Sequence, residues 1–181
     1  MKEFLVIGIT QPGDYPEEAE RINLLFSSGE IDLLHIRKPG ISIDIVENLI
    51  NGIKSEFHSR VKLHDHYDLL EKYKLGGVHL NSRSPIPHPL AQSISKSIHS
   101  LEEIEPTDNM DYYFLSPIFD SISKNGYNSK YDIETISSYI RGNRVVALGG
   151  VTPDKFSLLK NNGFYGGAML GYLFPPIPFK N

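Results

Sequence analysis

Val145-Val146-Ala147-Leu148-Gly149-Gly150-Val151-Thr152-Pro153 reads as a buried strand, a glycine turn and the start of a helix, with Thr152 placed to cap it and Pro153 suited to its first position. A helical stretch ending near Gly163 leads into a second apolar run, Tyr165–Leu170. Working outward from this unit, comparable short runs recur at Phe4–Ile9, Ile31–Ile36, Val61–Leu63, Gly77–Leu80, Ser93–Ile98 and Tyr112–Leu115, and the whole set predicts eight strands. Amphipathic segments lie between them. Pro16–Phe26 carries Ala19, Ile22, Leu25 and Phe26 on one face, and Ile43–Phe57 does the same with Ile43, Val46, Leu49, Ile50, Ile53 and Phe57. Strand, helix, strand repetition implies parallel pairing.

Eight short strands at near-regular spacing predict an α/β fold, a compact (β/α)8 TIM barrel occupying residues 1–181 as a single domain. An open doubly wound sheet is the alternative, but it needs fewer strands, and no Gly-x-Gly-x-x-Gly follows the first run. Barrels of this kind usually take about 200 residues or more, so 181 is lean. Prolines at 85, 87 and 89 predict a short or absent fourth helix, and Phe174-Pro175-Pro176-Ile177-Pro178 predicts that the last helix is missing. Strands left uncovered there suggest a homodimer.

The charge balance excludes several classes of function. Net charge is −4 with acidic and basic residues interleaved, so no basic face offers the counterion release that drives nucleic-acid binding. The absence of cysteine excludes disulfides, thiolate metal sites and a cysteine nucleophile. The apolar run Phe4–Ile9 is too short for a signal-peptide core or a membrane span, so a cytoplasmic protein without a membrane partner is expected.

Polar residues collect where the strands end: His35 and Arg37, His64 and Asp65, His79 and Asn81, Ser97 and His99, Ser116, Gly149 and Gly150, and Gly171. In a barrel that is the catalytic face. Taken singly, His35 or His79 reads equally as a satisfied lining histidine; the shared position is what points to a site. Arg37 and Lys38 put a bidentate phosphate clasp beside a point charge, although surface pairs of this kind are common. Asp65 is either a Mg2+ ligand beside a phosphate or the cap of a helix starting near Tyr67. The long connection from Ser116 to Tyr127 carries hydroxyls and Lys124, as a lid over an anion would, and the glycines after the last two strands suit phosphate binding by backbone amides.

The ordered set His35-Ile-Arg-Lys38, His64-Asp65, Gly77-Val-His-Leu80, Ser97-Ile-His-Ser-Leu-Glu-Glu103, Ser116-Pro-Ile-Phe119 with Ser121-Ile-Ser-Lys124, and Ala147-Leu-Gly-Gly150 resembles the thiamine phosphate synthase and thiazole tautomerase (TenI) family over all but the tail. The resemblance implies an enzyme of thiamin biosynthesis that joins hydroxymethylpyrimidine pyrophosphate to thiazole phosphate, so its partners would be small pyrimidine and thiazole phosphates. It implies that Arg37 and Lys124 hold pyrophosphate, Asp65 binds Mg2+ and Ser97 contacts the pyrimidine. Ser121, Ser123, Gly149, Gly150, Leu170 and Gly171 would hold the thiazole phosphate. His99 matches the acid/base of the tautomerase branch.

Four departures bear on these roles. The family's Gln at the second strand end is His35; its Lys two after the arginine is Pro39, with Lys38 a candidate replacement; its Asn before the metal Asp is His64; and its Gly-Gln-Glu-Asp after strand four reads Asn81-Ser82-Arg83-Ser84, which leaves Ser84 where the second metal carboxylate is expected. The changes fall on the pyrophosphate and pyrimidine side. Synthase is the first expectation, thiazole tautomerase the second, and a regulator that binds thiazole or thiamin phosphates without turnover the third.

Overall fold

The computed structural model describes residues 4–105, 109–120 and 131–174, and within them eight parallel strands close into a barrel in sequence order. They are β1 Leu5–Ile9, β2 Leu33–Ile36, β3 Val61–Leu63, β4 Gly77–Leu80, β5 Ile94–Ile98, β6 Tyr112–Leu115, β7 Val145–Leu148 and β8 Gly166–Met169. Closure runs through Leu5 against Gly166 to Gly8 against Met169. The open-sheet alternative is therefore ruled out, and the strands sit within two residues of the runs read from sequence.

Alternation along each strand sorts the core into two layers. Leu5, Ile7, Ile9, Leu33, Tyr112, Phe114, Val146, Leu148 and Ala168 pack together inside the barrel. Leu34, Ile36, Val61, Leu63, Ile98, Leu115 and Ala147 face outward and pack with the helices α1 Glu18–Ser27, α2 Ile43–Gly52, α4 Ile133–Ile140 and α5 Phe156–Asn161 through Ile22, Leu25, Val46, Ile50, Ile140 and Leu159. A short helix, α3 Leu69–Tyr73, follows β3.

Two helix boundaries differ from the sequence reading. α1 begins at Glu18 rather than Pro16, because Glu17 adopts a left-handed conformation (φ 61°) that no helix continues through. α2 stops at Gly52 instead of running to Phe57. The Asn23 side chain clasps its end, donating to the Gly52 carbonyl (2.9 Å) and accepting from the Lys54 N–H (2.9 Å). Residues Ser55–Arg60 then form a separate 3-10 turn that stacks Phe57 on Phe26, with ring centroids 4.9 Å apart.

The proline-rich connection between β4 and β5 contains no helix, as its sequence predicts. Among the described residues β5 leads into a three-residue 3-10 turn, Leu101–Glu103, and β8 into a turn through Phe174. No described helix is long and apolar enough to cross a membrane.

Candidate active site

One half of the barrel interior is apolar and the other is polar. From β2 to β5 the inward positions are His35, Lys62, His64, His79, Ser95 and Ser97, and a hydrogen bond from Tyr112 on β6 crosses to them. The His35 ring bonds His64 (2.9 Å) through Nδ1 and the Tyr112 hydroxyl (2.7 Å) through Nε2. His79 bonds the Ser95 hydroxyl (2.9 Å) and the Ser97 hydroxyl (2.8 Å). The His64 and His79 rings stack with centroids 4.1 Å apart.

Burial decides the charge of this cluster. All three histidines are pulled below their ordinary value first by desolvation, then by the positive charges around them; His79 falls to about 3. Neutral imidazoles therefore floor the site at neutral pH. Lys62, which the sequence reading did not single out, donates to the Ser93 hydroxyl (2.6 Å), lies 4.2 Å from the centre of the Tyr112 ring, and is pulled down to about 8 by burial, with Asp111 opposing. Its signal was available: Lys62 on β3 lies two before His64, which directly follows the strand, and so shares its face.

Above this floor the C-terminal strand ends carry a cationic rim. Arg37 is half-buried; desolvation and then repulsion from Arg83 pull its guanidinium below its usual value, while Asp65 opposes them. Asp65 accepts two parallel hydrogen bonds from Arg83, at 3.1 Å from Nε and 3.0 Å from Nη2, and a longer one from Ser84 Oγ at 3.4 Å. Helix capping is not its role, since α3 starts from Asp68.

Other expected site residues disperse. Lys38 is 3% exposed and gives its ammonium to Glu18 (2.5 Å) and the Gly13 carbonyl (2.5 Å), so it serves the layer between barrel and α1 and does not replace the family's site lysine. Ser97 stays on the interior side, bonded to His79. His99 is exposed just after β5, held through its backbone by Glu103 and Tyr131. Gly149 and Gly150 follow β7 and Leu170 and Gly171 follow β8, neighbours because the two strands pair. Gly150 has φ +61°, and a Cβ there would lie 2.2 Å from the Asp120 carbonyl oxygen, so only glycine fits this turn. Ser121, Ser123 and Lys124 lie outside the described residues.

The profile of the thiamine monophosphate synthase family matches residues 6–173. The chain belongs to that family. Among solved structures it is similar to a thiamine phosphate pyrophosphorylase from Bacteroides thetaiotaomicron, at 34% identity over 98% of this chain and 90% of that one, with a TM-score of 0.82. A Pyrococcus furiosus thiamine phosphate pyrophosphorylase (18% identity, 93% and 86% covered, TM-score 0.74) and a mutant P. furiosus tryptophan synthase alpha-subunit (13%, 92% and 86%, TM-score 0.58) share the fold. No curated protein matches the chain in sequence.

For a member of the thiamine monophosphate synthase family the rim raises the question of Mg2+. The donors at Asp65 do not fit that ion: the one carboxylate already holds a guanidinium, and Ser84 offers a hydroxyl where a second carboxylate is needed. The ring nitrogens of His35, His64 and His79 come within 4.8 Å of one another, but His64 and His79 stack face to face (interplanar angle 23°) and so do not converge on one centre. The arrangement combines a neutral imidazole floor with a rim of positive charge, which suits a phosphorylated heteroaromatic.

Proposed function

We propose that the protein is a thiamine phosphate synthase, a transferase acting in the cytoplasm on hydroxymethylpyrimidine pyrophosphate and thiazole phosphate. The C–O bond between the pyrimidine methylene and the pyrophosphate breaks, the electron pair leaves with pyrophosphate, and the thiazole nitrogen forms the new C–N bond. The observation that carries this reading is the pair of guanidiniums, Arg37 and Arg83, set around Asp65 over the buried imidazoles. Charge that develops on a departing pyrophosphate is stabilised by fixed cations already in place. His64 and His79 present stacked rings beside Ser97, which would contact the pyrimidine. Gly149, Gly150, Leu170 and Gly171, with Ser121 and Ser123, would hold the thiazole phosphate.

Thiazole tautomerase is the second reading, favoured by the misfit of Asp65 and Ser84 to a metal and by the exposed His99 as an acid/base. Incubation of purified protein with both substrates, with thiamine phosphate followed as thiochrome fluorescence, decides between them. Product supports the synthase; no product, together with isomerisation of thiazole carboxylate phosphate, supports the tautomerase. Ligand-stabilised melting with neither product leaves the binding regulator.

A further inference from the structure

The turn that presents Arg83 is held from several directions. Asn81 and Ser84 exchange backbone hydrogen bonds (3.2 and 3.1 Å), and Asn81 Oδ1 accepts from the N–H groups of Arg83 (2.9 Å) and Ser84 (3.3 Å). Asn81 Nδ2 reaches back to the His64 carbonyl (2.7 Å), and the Tyr67 hydroxyl, bonded to the His79 carbonyl (2.7 Å), also reaches the Ser84 carbonyl (3.3 Å). The guanidinium remains 42% exposed while its carboxylate partner is 18% exposed. An exposed pair contributes little to stability, and Asn81 and Tyr67 already secure the turn. Of the five N–H donors of a guanidinium, Asp65 takes two, and the rest meet no protein acceptor among the described residues. With Arg37 beside it, the cluster of Arg37, Arg83 and Asp65 carries a net positive charge at the strand ends.

We propose that Arg83, held in place by Asp65, is the cation that receives pyrophosphate in this protein, and that pyrophosphate binds here without a divalent metal. The inference rests on the pyrophosphate reading above and assigns Asp65 a new role: it orients a guanidinium instead of ligating an ion. A guanidinium fork held by Asp65, with Arg37 as a second cation nearby, suits the oxygens of a diphosphate. A Mg2+ ion brought to Asp65 would have to displace a bidentate partner and sit against its charge.

Titration calorimetry of the full chain with inorganic pyrophosphate, in EDTA and then in excess Mg2+, tests this. The expected result is binding in EDTA, weakened about tenfold or more by Arg83→Ala and partly restored by Arg83→Lys. Asp65→Asn separates the two roles: loss of the carboxylate that orients the guanidinium weakens binding in EDTA no more than Arg83→Ala does, whereas loss of a metal ligand abolishes a binding that depends on Mg2+. Binding that needs Mg2+ and disappears in Asp65→Asn overturns the proposal and leaves the synthase reading intact. Equal affinity of wild type and Arg83→Ala in EDTA, with loss in Arg37→Ala, also overturns it. No binding under either condition removes the pyrophosphate reading together with the inference.

Discussion

Arg37 and Lys38 are neighbours in sequence with separate duties. Arg37 continues the inward face of β2, two positions after His35, and its guanidinium is predicted to contribute about 2 kcal/mol or more to binding a phosphorylated ligand. Calorimetry of Arg37→Ala should show that loss, and unchanged affinity would remove the residue from the site. Lys38 shares the outward face with Leu34 and Ile36 and meets Glu18, whose carboxyl is raised by desolvation against the pull of Lys38 and whose Oε1 has no hydrogen-bond partner among the described residues. Lys38→Met is expected to lower the urea unfolding free energy by about 3 kcal/mol, because it strands a buried carboxylate, and adding Glu18→Leu should recover most of it. The sequence reading joined the two cations in one clasp, but period-two alternation from His35 sends Lys38 to the outer face, a signal that was available in the strand. The Arg83–Asp65 pairing was not legible, because no local pattern shows which way a turn of Asn, Ser and Arg points its side chains.

At the level of elements, the eight strands were legible because a barrel strand buried on both sides is a short apolar run bounded by polar or glycine residues. The missing helix after β4 was legible from prolines 85, 87 and 89. The end of α2 was not, since the apolar period continues to Phe57 and the break comes from Asn23 on another helix. The β3–β4 seam is the narrowest, paired at Lys62 with Gly77 and Leu63 with Val78. On the opposite side of β4, facing the start of β5, a Cβ on Gly77 would stand 2.0 Å from the Ser93 carbonyl oxygen, which is backbone and cannot swing aside. Gly77→Ala should therefore cost about 2–3 kcal/mol and lower Tm by several degrees in a thermal melt. A melt indistinguishable from wild type would mean that the β4–β5 pairing yields there without strain.

Across the whole molecule, the polar half of the barrel ties stability to pH. The folded values of His35, His64 and His79 lie below the ordinary value of 6.5, so the unfolded chain binds more protons as pH falls beneath that value. The contribution is complete above about pH 6.5 and declines as pH drops toward the folded values, by about 1 kcal/mol per pH unit for each histidine that titrates only when unfolded. Urea midpoints measured from pH 7 to pH 5 should fall, and the slope should flatten in His64→Gln. A flat profile would show that these imidazoles are not held neutral. The same half of the barrel sets the chemistry, because it places a neutral aromatic floor under two guanidiniums.

The most direct test of that chemistry is the rate of thiamine phosphate formation from the two phosphorylated substrates in metal-free buffer with EDTA. Product in EDTA, lost in Arg83→Ala, is the predicted result; activity that appears only with Mg2+, or no product in either buffer, would contradict it.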